Sequence, residues 1–68
     1  MINNIEELKS EVESTLQNTT MRSVDISNGS GVNESSIARY RDGYAIQNTK
    51  NLFALAEFFR IEYQLGSR

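Results

Sequence analysis

The chain contains no cysteine and no histidine. Those two absences exclude disulfides, thiolate zinc sites and any Cys–His nucleophile–base pair. Without a covalent staple, a chain of 68 residues must draw its stability from packing, with a second copy as the available support. A chain this short holds one domain and buries roughly 60% of its unfolded surface. Long apolar runs are missing too. The richest stretch, Asn-Leu-Phe-Ala-Leu-Ala-Glu at 51–57, falls far short of the ~20 apolar residues of a membrane span. The start, Met1-Ile2-Asn3-Asn4, lacks the basic and apolar regions of a signal peptide. The composition predicts a cytoplasmic protein with no membrane contact, and the absence of cysteine is compatible with that compartment. No strand pattern, internal repeat or linker is visible. Glu6 and Glu13 are carboxylates without a pocket-forming sequence, metal-ligand cluster or glycine-rich phosphate loop around them. No enzymatic role, cofactor or metal is expected.

What the chain does have is an uneven distribution of charge. The formal net charge is −2, but Glu6, Glu7, Glu11 and Glu13 all fall near the N-terminus. The remainder carries Arg22, Arg39, Arg41, Lys50, Arg60 and Arg68 against Asp25, Glu34, Asp42, Glu57 and Glu62. An acidic face set away from a weakly basic one is implied, and binding of a polyanion by a single copy would be modest.

The apolar spacing is helical throughout. Ile5, Leu8, Val12 and Leu16 make one stripe and predict a helix over about 2–18. Asn18-Thr19-Thr20 breaks it, with Thr19 and Thr20 as candidate caps for a second helix over 21–29; Met21, Val24 and Ile26 give that helix its apolar side. Ser30-Gly31-Val32-Asn33 reads as a turn, because glycine accepts the left-handed backbone that stops a helix. Asn33 is the expected N-cap of a third helix, 34–41, with Glu34 favourably placed in its first turn, and Asp42-Gly43 closes it. After a loop at 44–48, Thr49 is the expected cap of a fourth helix over 50–59, made apolar by Leu52, Phe53, Leu55, Ala56 and Phe59. A short turn is expected at 61–65, and the last residues, Gly66-Ser67-Arg68, are expected to fray. The fold class is all-α, a compact four- to five-helix bundle. Tyr40, Phe53 and Phe59 are expected in its core; Phe58 and Tyr63 are candidates for an apolar patch covered by a second copy.

The second and third helices meet the steric demands of a helix-turn-helix unit. Ser27 is the small residue expected at the helix crossing, and Gly31 supplies the positive φ. Ile26, Val32, Ile37 and Tyr40 fall where the two helices must be glued together. Asn33, Glu34, Ser35, Ala38 and Arg39 are left on the outer face of the third helix.

The segment Ser30-Gly31-Val32-Asn33-Glu34-Ser35-Ser36-Ile37-Ala38-Arg39-Tyr40-Arg41-Asp42-Gly43, followed by Asn51-Leu52-Phe53-Ala54-Leu55-Ala56-Glu57, resembles the XRE/Cro–CI family. These are the lambda-repressor-like DNA-binding domains of phages and bacteria. The shared features are the glycine-valine turn, the isoleucine-x-arginine-tyrosine stretch, the glycine after the third helix and the leucine-alanine pair in the fourth. Ser27 stands where the family usually has alanine, and Ser23 near a frequent phosphate-gripping glutamine. Gly43-Tyr44-Ala45-Ile46-Gln47 carries no basic residue or proline.

The resemblance implies that the third helix is a recognition helix. Asn33, Glu34, Ser35, Ala38 and Arg39 would then face base edges, with Arg39 able to grip a guanine through two hydrogen bonds. Arg22, Ser23, Arg41, Gln47, Asn48, Thr49 and Lys50 are the implied phosphate contacts, although Arg41 has the acidic first helix as an alternative partner. The implied function is a small sequence-specific transcriptional regulator, a homodimer on a palindromic double-stranded operator. The alternative is a helix-turn-helix module for protein partners, such as an antirepressor, an antitoxin or a phage inhibitor of a host nucleic-acid enzyme. It would present Glu6, Glu7, Glu11 and Glu13 to a basic surface.

Overall fold

Asn4 sets where the first helix begins. Its side-chain oxygen accepts the N–H of Glu7 at 2.8 Å, and α1 runs from Ile5–Asn18 with Glu6 and Glu7 in the first turn, where the helix dipole favours them. The computed structural model describes residues 2–65. Three more helices follow: α2 (Ser23–Ser30), α3 (Glu34–Arg41) and α4 (Thr49–Phe58). The architecture is all-α. α3 and α4 each pack against both α1 and α2, and the radius of gyration, 11.3 Å, matches the ~11 Å of a compact chain of this length.

One core joins the elements. Leu8, Val12 and Leu16 from α1 meet Ile26, Val32, Ile37 and Tyr40, with Ile46, Leu52, Leu55 and Ala56 completing it. Among the described residues, no buried residue is charged, and the core side chains are aliphatic apart from Tyr40. Among the described residues no buried side-chain nitrogen or oxygen lacks a hydrogen-bond partner. The core is therefore apolar and carries no desolvation cost from unpaired groups.

Several boundaries depart from the sequence-based expectation, each for a local reason. Residues 2–4 lie outside α1 because Asn4 caps it, and Ile2 instead forms an isolated parallel bridge to Tyr63. Thr19 does not cap α2. Its hydroxyl accepts the N–H of Met21 at 3.2 Å and shapes the corner; α2 begins two residues later than expected, after Arg22, which offers no side-chain cap bond. Met21 therefore sits outside the helix and is exposed. Asn48, not Thr49, caps α4 by accepting the N–H of Asn51 at 3.1 Å, which moves that helix forward by one residue.

The expected turn at 61–65 is not helical. Arg60 takes a left-handed φ of 59°; Arg60 N–H then donates to Glu57 O and Ile61 N–H to Ala56 O, the double closure that ends a helix. Beyond it Ile61, Tyr63 and Leu65 are half-buried while Glu62 and Gln64 are exposed. That alternation is the signature of extended chain, held by Gln64 N–H donating to Ile2 O at 2.8 Å. The fraying expected at 66–68 lies outside the described residues. Phe53 and Phe59 are half-buried rather than core; Phe53 stacks on Tyr63, and Phe59 meets Phe58 edge to face. Phe58 and Tyr63 are likewise half-buried, packed against the core rather than standing clear of it. Among the described residues no helix is long and apolar enough to cross a membrane.

Candidate nucleic-acid interface

α3 is defined at both ends by local chemistry. At its start, Gly31 adopts φ 82°, the conformation that lets α2 stop and the chain reverse. Ser27 Oγ donates to Val32 O at 2.6 Å across this turn, so the small residue expected at the crossing also locks the turn. Asn33 caps α3, accepting the N–H and the hydroxyl of Ser35 at 3.0 and 2.8 Å. At its end, Gly43 (φ 105°) donates to Tyr40 O, and Tyr44 N–H donates back to Arg39 O. The helix boundaries coincide with those predicted, because both signals are local.

Between these caps the helix is two-faced. Ile37 and Tyr40 are buried, whereas Asn33, Glu34, Ser35, Ala38 and Arg39 are all exposed. The exposed set is the one assigned to base reading, and its side chains are short apart from Glu34 and Arg39. No bulky apolar residue stands on that face to keep a partner at a distance.

Arg39 borders a groove of about 380 Å³ between α3 and the start of α4, lined by Ser36, Arg39, Tyr40, Tyr44, Ala45, Gln47, Asn48 and Asn51. Asn51 Nδ2 donates to the Tyr40 hydroxyl at 3.0 Å and ties the groove's floor across the two helices. Gln47, Asn48, Thr49 and Lys50 are exposed at the N-terminal end of α4. Three of these four are neutral, so the charge on this rim comes from Lys50 and the nearby Arg39.

The remaining candidate phosphate contacts are placed differently. Arg22 is exposed before α2 and lies 3.9 Å from Asp25, an exposed pair of little energetic weight. Arg41 is turned into the protein. Its Nη1 donates to Met21 O at 2.8 Å and to Ser23 Oγ at 3.1 Å, and its Nη2 to Thr19 O at 2.9 Å. Arg41 and Ser23, both expected as phosphate contacts, are joined to each other and to the backbone in an internal brace. The alternative partner, the acidic side of the first helix, is not used either: the guanidinium takes the backbone carbonyls after α1, which face no helical donor.

Of the four N-terminal glutamates, Glu6, Glu7 and Glu11 are exposed. Glu13 is half-buried, and its Oε2 accepts the Ile46 N–H at 3.0 Å. It is thereby withdrawn from the acidic face. The sequence did not mark this contact, nor the close approach of α2 to α4 at Gly29, where an added Cβ would lie 2.2 Å from Phe58 Cε1. Among the described residues no group of acidic side chains is placed to hold a metal ion.

Comparison with family models, with curated proteins and with solved structures finds no match to this chain.

Proposed function

We propose that the chain is a lambda-repressor-like helix-turn-helix domain that binds double-stranded DNA in a sequence-dependent way. α3 enters the major groove. The observation that carries this reading is the division of α3: Glu34, Ser35, Ala38 and Arg39, with the cap Asn33, stay in water while Ile37 and Tyr40 anchor the helix from behind. A three-residue connection with left-handed Gly31 supports it, as does the polar groove between Arg39 and the α4 N-terminus, where free amides suit a phosphate. Arg39 reads guanine through its fork; Gln47, Asn48, Thr49, Lys50 and Arg22 hold the backbone.

The acidic balance of the chain limits the affinity of one copy. Two copies on half-sites about 34–36 Å apart supply the second contact, and the bound dimer represses by covering a promoter. The test is selection from a random duplex pool, followed by anisotropy titration at several salt concentrations. A preferred, approximately palindromic site with a steep salt dependence is expected. Arg39→Ala is expected to cost about 1–3 kcal/mol on that site and little on unrelated duplex. Equal retention of every sequence, or none, refutes the proposal.

A second reading rests on Glu6, Glu7 and Glu11, which are exposed on α1 and form no ion pair among the described residues. In that reading α1 meets a basic protein partner, which makes the chain an antirepressor, an antitoxin or an inhibitor of a nucleic-acid enzyme. Retention on a cationic protein surface, abolished by neutralising these three residues with no change at α3, would favour it.

A further inference from the structure

Among the described residues, the side-chain hydrogen bonds that join distant parts of the chain all end on one stretch, residues 40–46. Arg41 reaches Thr19, Met21 and Ser23; Asn51 reaches Tyr40; Glu13 takes the backbone of Ile46. Every other side-chain hydrogen bond spans five residues or fewer.

The concentration has a physical reason. A helix that keeps one face in water has little apolar surface with which to lock itself. α2 and α3, of eight residues each, bury one and two side chains, where the longer α1 and α4 bury three each. The seven residues that follow α3 bury only Ile46. Yet this loop delivers Tyr44, Gln47 and Asn48 to the groove beside Arg39. Tyr44 is held at one end by Arg39 O and Asn48 at the other as the cap of α4; between them one buried side chain sets the depth of the loop but leaves its middle free to pivot. A hydrogen bond from the same residue's backbone to a different helix removes that freedom.

We propose that Glu13 is a positioning residue for the nucleic-acid-facing surface. From α1 it holds the Ile46 N–H and so orients the loop that carries Tyr44, Gln47 and Asn48, while Arg41 braces the end of α3 just before it. The inference rests on the duplex-binding reading. Glu13 touches no nucleic acid; it acts through Ile46.

Glutamine and alanine separate this role from plain electrostatics. Both Glu13→Gln and Glu13→Ala remove a negative charge, which by itself favours a polyanion. Only alanine removes the acceptor. On the selected duplex, at a temperature where all variants are folded by circular dichroism, Glu13→Gln is expected to bind at least as well as wild type. Glu13→Ala is expected to bind up to about tenfold more weakly than Glu13→Gln, the weight of one neutral hydrogen bond spread over the competent loop population. The salt slope stays unchanged, because no phosphate contact is lost. Amide exchange at Ile46 is expected to accelerate in Glu13→Ala and to remain slow in Glu13→Gln. Should alanine unfold the chain, Glu13→Asp withdraws the carboxylate while keeping its charge, and is then expected to fall below both wild type and Glu13→Gln.

Equal affinities for the acceptor-bearing and acceptor-lacking variants overturn the proposal, as does an Ile46 amide that exchanges alike in all of them. A wild-type chain that retains no duplex overturns the binding reading instead, and with it the functional role of the tie, while the exchange contrast at Ile46 still reports the hydrogen bond itself.

Discussion

Gly29→Ala sets two effects of known size against each other. Alanine in place of glycine inside a helix normally gains up to about 1 kcal/mol, because the unfolded chain loses freedom. At Gly29 the new methyl would stand 2.2 Å from Phe58 Cε1 and 2.9 Å from Cδ1. Ordinary contact begins at 3.4 Å, so the ring must withdraw by more than about 1 Å on a potential this steep. Phe58 is half-buried and meets Phe59 edge to face, with centroids 5.0 Å apart, so the displacement spreads to a second aromatic side chain. Overpacking of this kind costs about 1–3 kcal/mol. The net expectation is a loss of roughly 0.5–2 kcal/mol, or a fall of about 0.5–2 M in the urea midpoint for a domain of this size. Circular dichroism at 222 nm under urea titration measures it. In a Phe58→Leu background the obstruction shrinks, and the same substitution is expected to become neutral or stabilising, so the two changes couple strongly. A Gly29→Ala protein stabilised to the full extent of helix propensity would refute the reasoning, since α2 and α4 could not then approach as closely as described.

Two more predictions concern arginines. Arg60→Gly relieves the left-handed backbone that closes α4 (φ 59°) and is expected to raise stability by about 1 kcal/mol, read as a higher midpoint in the same titration; a lower midpoint would mean that the arginine side chain outweighs the backbone strain. Arg41→Met keeps an apolar stem but removes three donors to Thr19, Met21 and Ser23, and is expected to cost about 1–3 kcal/mol of stability. The dependence of duplex affinity on salt is expected to stay as in the wild type, whereas loss of a direct phosphate contact would lower the logarithmic slope by about 0.9.

Features carried by neighbours in the chain are legible in the sequence. Of the stripe Ile5-Leu8-Val12-Leu16, the last three are buried as the spacing requires, whereas Ile5, the first residue of α1, is exposed. α3 has the limits that Asn33 and Asp42-Gly43 impose, because caps and left-handed glycines act within one turn of themselves. The exposed set on α3 followed from the same periodicity. Elsewhere two local signals compete, or a distant partner decides. Thr49 lost the cap of α4 to Asn48, one residue earlier, since either polar side chain can satisfy the free amides of a helix start. The segment 61–65 is extended where a turn is expected, although Ile-Glu-Tyr-Gln-Leu alternates; a run that short is compatible with either state until a pairing partner exists, and that partner, Ile2, lies at the other end of the chain.

The rest depended on three-dimensional proximity. Arg41 as a brace, Glu13 as the holder of Ile46 and Gly29 as the point where α2 admits the Phe58 ring join residues 18–33 positions apart. Nothing in their local context announces such partners: an arginine at a helix end and a glutamate on an amphipathic helix look the same whether water or a distant backbone group receives them. Helix periodicity, capping and turn chemistry are short-range and can be read in one dimension. Which surface is locked, and which loop is held to which helix, is decided only when the packed helices bring those groups within hydrogen-bonding reach.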